Sequence, residues 1–355
     1  MSVSQYAARK RSGFFIPPLT AIAGLLLVIL LGFSSLLLAQ PAKDRRHQFT
    51  VFDAPNATYT HASNINDRGV VTGYLIEADR RVRAFIRDEK GKLTVFDAIA
   101  GGTDTEPAGT NVHGDTAGTA QGGAFSFVRD KRGNITTFTA PNALETFASG
   151  INARGDISGM FKDPVAVANH GYARDKRGNI ATFDFPNGSN LQVTGPNDRR
   201  EIAGTFEDWN EGGKQRVYVR RWQGQLEVFD ISNGTPWLVG INNRGEIAGI
   251  YVDQGQVSGF VRDPGGHITV LDVPTPWVNG FNIRGEVVGS FGDPDRGGKT
   301  CGFVWEPDGS FTVLDVPNAS ATYAYSINAR GEVSGSFDDA RQSGKRRGFI
   351  FKPRR

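Results

Sequence analysis

The chain has 355 residues, with 40 Lys and Arg against 37 Asp and Glu and a formal net charge of +3. Six of the basic residues and one of the acids fall in the first 46 positions, so residues 47–355 carry 34 basic and 36 acidic groups. That balance excludes the broad basic footprint of a nucleic-acid binder. Cys301 is the sole cysteine, which excludes an intrachain disulfide, and its place before Gly302-Phe303 reads as a buried thiol.

The N-terminus comes first. Arg9-Lys10-Arg11 precedes an uncharged run from Ser12 to Ala42 that is densest at Leu25-Leu26-Leu27-Val28-Ile29-Leu30-Leu31. A run of more than about 18 such residues is long enough to span a bilayer as a helix. The cations before it stay in the cytoplasm, so the remainder is exported. An uncleaved signal anchor is the preferred reading. A signal peptide cut near Ala39 or Ala42 is the alternative, although Leu37 and Gln40 fit the −3 position poorly. The chain thus divides into a basic segment (1–12), a hydrophobic helix (13–42), a charged linker (43–48) and a repeat domain (49–355). The expected location is the inner membrane facing the periplasm, or outside the cell if the segment is cleaved.

After residue 48 one text recurs seven times. Its last copy is Ile327-Asn328-Ala329-Arg330-Gly331-Glu332-Val333-Ser334-Gly335. The turn closes at Gly69, Gly114, Gly155, Arg200, Gly245, Gly285 and Gly331, at spacings of 45, 41, 45, 45, 40 and 46. The asparagine three residues earlier never varies: Asn66, Asn111, Asn152, Asn197, Asn242, Asn282 and Asn328. A period of this length marks a repeat architecture.

Residues 146–186 show the unit. Strand A runs from Thr146 to Ile151, a tight turn follows, and strand B runs from Asp156 to Phe161. A variable loop leads to strand C, Gly171-Tyr172-Ala173-Arg174, then a second tight turn, then strand D from Asn179 to Asp184. Asn or Asp opens each turn because its side chain accepts backbone amides two residues on. Gly closes each turn because such loops need a residue at positive φ. Arg200 breaks this rule, and is expected to cost stability or force a different turn. The D strands are β-branched and aromatic, as in Ile268-Thr269-Val270-Leu271. Most end in Asp, and several continue Asp-x-Pro, as at Asp53, Asp184, Asp272 and Asp315, which reads as a structural cap.

Four short antiparallel strands per unit match a blade of a β-propeller. Seven turns predict an all-β fold of seven four-stranded blades, with an open β-solenoid as the alternative. The last unit stops after its third strand, Gly348-Phe349-Ile350-Phe351. Phe49-Thr50-Val51-Phe52-Asp53 then supplies the missing fourth and removes the free sheet edges.

The units resemble the HAF family of probable extracellular bacterial repeats. The matching text includes Arg83-Ala84-Phe85, His170-Gly171-Tyr172, Ser258-Gly259-Phe260 and Arg347-Gly348-Phe349, with the Asn-x-x-Gly half present in every unit. The family's His is kept only at His170. The resemblance implies an exported bacterial β-repeat protein and carries no established activity.

Candidate site residues come from comparing units column by column. Five residues before the fixed Asn stand His61, Glu106, Phe147, Gln192, Trp237, Trp277 and Tyr323. This variable column starts the inner strand on the face of the variable loops, and is expected to ring the channel mouth. Aromatic faces beside polar groups suit sugars or flat organic ligands. The same column also reads as packing that plugs the channel. His61 with Glu106 one unit away is the only acid–base candidate. A second column, Asp163, Asp208, Asp253, Asp293 and Asp339, opens the variable loops. It reads as loop capping or, less directly, as Ca²⁺ ligands, because no loop has ordered calcium-loop spacing. No nucleophile elbow, phosphate loop or HExxH motif occurs. The expected function is a non-enzymatic binding or scaffold module, a monomer whose partner is an envelope glycan or protein. The alternatives are a propeller lyase or hydrolase acting on a polysaccharide or small molecule, and a purely structural envelope protein.

Overall fold

The computed structural model describes residues 48–102, 104–164 and 169–353. The hydrophobic helix expected over residues 13–42, its basic flank and the linker up to residue 47 lie outside them. Among the described residues, no helix is long and apolar enough to cross a membrane. These residues form 28 strands and three short 3-10 helices.

The tight turns form as the residue pattern dictates. In the first unit Asn66 Oδ1 accepts the amides of Arg68 and Val70, both at 3.0 Å, and Gly69 sits at φ 84°. Arg200 keeps the same turn, with φ 66° and its amide 3.0 Å from the Asn197 carbonyl. The left-handed conformation disfavours a side chain with a Cβ. Here the guanidinium is held by buried Asp156 at 2.7 and 3.0 Å and lies over the Trp222 ring. Of the two outcomes expected from the sequence, a stability cost or a different turn, the different turn does not occur.

The invariant asparagine does more than shape its own turn. Its Nδ2 also donates to the carbonyl of the fixed Asn in the next unit. The series runs from Asn66 to Asn111 at 2.7 Å, through each unit, to Asn328, which donates back to Asn66 at 3.0 Å. All seven asparagines are buried. Only an amide of this length offers one oxygen to its own turn and one nitrogen to its neighbour, and a buried polar group must be satisfied.

Five units form separate four-stranded antiparallel sheets, with strands in chain order. The expectation of seven separate sheets does not hold. Strands of the first and last units share one eight-stranded sheet, because Tyr59 in strand Ala57–Ile65 pairs with Arg346 in strand Arg346–Lys352 through a single parallel bridge. Strand Gln48–Phe52 pairs antiparallel with Arg346–Lys352, Gln48 opposite Lys352 and Phe52 opposite Gly348. Strands Gln48–Phe52 and Ala57–Ile65 both meet strand Arg346–Lys352, which joins the two ends of the described residues into one closed ring.

Between sheets the core is apolar. Phe85, Phe127, Tyr172, Tyr218, Phe260, Phe303 and Phe349, one per unit on strand C, are fully buried. The second glycine of each repeat text makes room for the inner strand. A Cβ at Gly73 would overlap the His61 carbonyl, and one at Gly249 would overlap the Trp237 carbonyl. Arginines ending strand C cover aromatic rings of the preceding unit, as Arg174 covers Phe138 at 4.6 Å and Arg220 covers Phe183 at 4.6 Å.

Candidate functional site

The variable column lies on the first strand of each unit, opening it at Trp277 but falling mid-strand at His61 and Tyr323, and faces strand B across the hairpin. His61 pairs with Tyr74, Glu106 with Thr119, Phe147 with Met160, Gln192 with Thr205, Trp237 with Ile250, Trp277 with Ser290, and Tyr323 with Ser336. The column therefore has one backbone position in all seven units. Its side chains differ sharply in environment.

Trp237 and Trp277 are 40% and 65% exposed and stand on adjacent inner strands, Thr235–Ile241 and Trp277–Phe281. Glu106 and Gln192 are also exposed. Phe147 is half-buried, with its ring against Gly123 of the preceding unit and Lys162 Nζ 5.6 Å from its centroid. Trp209, on the variable loop of the fourth unit, is 60% exposed and donates from Nε1 to Ser189 Oγ at 2.9 Å.

At the junction of the first and last units the column is packed instead. The His61 ring stacks between Tyr74, at 4.6 Å, and Tyr325, at 4.2 Å, and its Nδ1 lies 3.0 Å from Ser63 Oγ. Tyr323 stacks parallel to Tyr325 at 6.4 Å. Arg346 lies over both the Tyr59 and Tyr323 rings, at 4.9 and 4.4 Å. It also bonds the Tyr59 hydroxyl at 2.9 Å and Asp338 at 2.6 and 3.0 Å. Burial, and then the Arg346 charge, push the His61 pKa down to about 4. His61 is therefore neutral at neutral pH and a weak base. Burial raises the Tyr74 hydroxyl, with Tyr59 and Glu106 adding to the effect. Loss of hydration and the nearby Asp104 charge raise Glu106.

Tyr59, Tyr74 and Tyr325 were not singled out by the column comparison. Tyr325 occupies the position two residues after the ring column, where the other units carry Ser63, Ala108, Ser149, Thr194, Val239 and Asn279. A large aromatic among these smaller residues is the signal that could have found it. The inner strand bulges at this point, for instance between Ala324 and Ser326, which turns that side chain relative to its neighbours.

The acidic column opening the variable loops has protein partners. Asp208 accepts the Asn210 amide and Asp293 the Asp295 amide, both at 3.0 Å. Asp339 accepts the Arg341 amide at 3.0 Å and Arg347 at 3.2 Å. Asp253 ends its strand opposite Gln256 in a tight hairpin. In the third unit His170 lies between Asp163, at 2.8 Å, and Asp184, at 2.7 Å. Arg216 does the same between Asp208 and Asp230, and Arg347 between Asp339 and Asp53. One basic side chain on strand C thus ties the loop-opening Asp to the Asp that ends strand D. Among the described residues, no group of three or more His, Cys, Asp or Glu is placed to hold a metal ion.

A shallow cavity of about 120 Å³ lies on the tight-turn side between the first and last units. Most of its charges are paired among themselves, Arg68 with Glu89 and both Arg330 and Lys352 with Glu332, and Arg87 lies over the Phe52 ring.

No protein-family model matches the chain, and no curated protein matches it. Solved structures do resemble it. A streptogramin B lyase is similar at 16% identity and a TM-score of 0.57, covering 86% of this chain and 97% of that one. A catalytically inactive virginiamycin B lyase from Staphylococcus aureus with quinupristin is similar at 14% identity and a TM-score of 0.58, covering 86% and 99%. The β-propeller domain of the Trilobed protease from Pyrococcus furiosus is similar at 12% identity and a TM-score of 0.57, covering 82% and 95%. At these identities the likeness establishes the fold, an all-β propeller with four-stranded antiparallel blades.

Proposed function

We propose that the chain is an exported, non-enzymatic binding module whose ligand site is the channel mouth on the variable-loop face. The observation that carries this is the pair of solvent-exposed indoles, Trp237 and Trp277, on neighbouring inner strands. A folded protein gains nothing in its own core from such rings, and exposed aromatics held on rigid strands favour recognition. Glu106 and Gln192 on the same column supply polar groups to orient a ligand. A sugar ring or a flat organic group, carried on an envelope glycan or a protein, matches that chemistry.

We read the eight-stranded sheet as two blades meeting edge to edge, which gives a sevenfold ring. The closed circuit of seven asparagines supports this count. We read the acidic loop column as caps rather than calcium ligands, on the strength of its backbone and arginine partners. Export, anchoring through residues 13–42 and the HAF resemblance belong to the same proposal, and rest on the residues of the N-terminal run and the repeats.

A lyase or hydrolase reading needs His61 as a base. Its low pKa, its Ser63 hydrogen bond and its place between two tyrosines all oppose that role. The test is a fluorescence titration of residues 42–355 with envelope polysaccharides. A saturable change in tryptophan emission that disappears in Trp237→Ala/Trp277→Ala supports the site. Turnover of any ligand that vanishes in His61→Ala would replace this reading with the enzymatic one. A site silent to every glycan and protein tested would leave a structural role.

A further inference from the structure

The charge balance of the whole chain conceals a segregation between the two faces of the ring. Among the described residues, strand ends and loops on the variable-loop side carry 20 acidic and 12 basic groups. Those on the tight-turn side carry 16 acidic and 20 basic groups. The positive excess gathers in the first three units. Lys90, Lys131, Arg132, Lys176 and Arg177 lie on the turns between strands C and D, and Arg154 lies on a turn between strands A and B. All six are exposed, and none has a carboxylate at ion-pair distance among the described residues.

The turn chemistry explains why their neighbouring acids leave them unpaired. Asp130 accepts the amides of Arg132 and Asn134 at 2.9 and 2.8 Å and the Asn134 side chain at 2.8 Å. Asp175 accepts the Asn179 amide at 2.9 Å and its side chain at 2.8 Å. Carboxylates engaged in shaping a turn do not reach the cations beside them. Elsewhere on this face several arginines are matched, as Arg199 is by Glu201 and Arg284 by Glu286.

The entry of the chain into the ring points to a partner. Gln48, the first described residue, pairs with Lys352 at the tight-turn end of its strand. The described chain therefore enters the ring at its basic face. We propose that the tight-turn face docks on an anionic phospholipid surface, leaving the acidic, tryptophan-bearing face turned away from the membrane. This inference rests on the export and anchoring reading for the location of the ring, but its test does not. Basic side chains near an anionic bilayer each contribute a favourable, salt-sensitive term.

The test uses residues 43–355, which contain the whole closed ring but not the hydrophobic run, so cleavage or retention of that run cannot affect the result. The fragment is mixed with vesicles of phosphatidylcholine alone or of phosphatidylcholine with an equal share of phosphatidylglycerol. Binding is expected only to the anionic vesicles and should weaken with salt. Lys131→Glu/Arg132→Glu/Lys176→Glu/Arg177→Glu should lower the partition coefficient by on the order of tenfold or more. Trp222 lies on a tight turn of the same face. A headgroup spin-labelled lipid should therefore quench emission that is lost in Trp222→Phe. Undiminished binding by the charge-reversed variant overturns the proposal. So does quenching that persists in Trp222→Phe, which would place the other face on the membrane. Failure to bind anionic vesicles overturns it as well, including the case in which the basic turns take up a soluble acidic polysaccharide instead.

Discussion

The ring column has one backbone position and two fates. At the junction of the first and last units, His61 and Tyr323 belong to a stack that includes Tyr59, Tyr74 and Tyr325 and is crossed by Arg346. In the fifth and sixth units, Trp237 and Trp277 stand opposite Ile250 and Ser290 and remain exposed. The difference comes from the neighbours. His61 is half-buried because its hairpin partner Tyr74 and Tyr325 of the adjacent unit close on it from both sides, whereas no ring stands opposite Trp237 or Trp277. The chain thus spends aromatic residues on packing at the seam and on an open surface across the ring. Two regions that are equivalent in sequence position are unlike in what they can bind.

The largest effect should be common to both regions. Gly73→Ala and Gly249→Ala each drive a methyl into a backbone carbonyl of the inner strand, which has no rotamer to escape. Each is expected to cost about 3–5 kcal/mol in urea unfolding. Unequal losses would mean that the inner strand is better held on one side of the ring than on the other.

A sharper contrast comes from the rings themselves. Tyr325→Ala removes one wall of the His61 stack and should cost about 2–3 kcal/mol. Trp277→Ala should change stability by less than about 0.5 kcal/mol, because its ring contributes little to the core. Comparable losses in the two variants would show that Trp277 is part of the packing and sink the ligand reading for that residue.

The two partnered histidines should respond to pH with opposite signs. His61 has its pKa depressed from 6.5 to about 4, so the unfolded chain binds a proton that the folded chain refuses. Its contribution is complete above pH 6.5 and falls away as the pH drops towards 4. Between pH 7 and pH 5 the loss is about 2 kcal/mol. His170 loses some charge stability to burial, but the hydrogen bonds and charges of Asp163 and Asp184 outweigh it, and its pKa is raised. Its contribution is complete below 6.5 and is lost as the pH rises through its folded value. Stability curves of His61→Asn and His170→Asn against pH, each subtracted from that of the parent chain, should slope in opposite directions. A flat difference curve for His61→Asn would mean that the ring is hydrated rather than enclosed.

The asparagine circuit gives an effect of similar or smaller size that belongs to neither region. Asn328→Ala removes the bond that returns the circuit to Asn66 and two amide contacts in its own turn. A loss of about 1–3 kcal/mol is expected from the buried groups left unpaired. Asn197→Ala, remote from the seam, should cost a similar amount. A much larger loss at Asn328 would locate the weak point of the closed ring at the junction of its two ends.

The sequence by itself determined the repeat, its period, both tight turns and the pairing of a strand at about residues 49–53, found over Gln48–Phe52, with the last unit. Each depends on residues close in the chain or on a count of strands, and Asn, Gly and β-branched side chains act locally. The ring column was also legible, because it is a comparison of equivalent positions. Tertiary structure alone decided which members of that column are packed against other rings and which stay exposed. His61 and Tyr325 are separated by most of the repeat domain and meet only because the ring closes. The same closure fuses the first and last units into one sheet through Tyr59 and Arg346. Packing between consecutive units likewise holds Arg200 in a left-handed turn through Asp156 of the preceding unit. Charge followed the same rule. Its total was plain in the composition, but its division between two faces came from the alternation of strand direction, which sends successive loops to opposite sides of the ring.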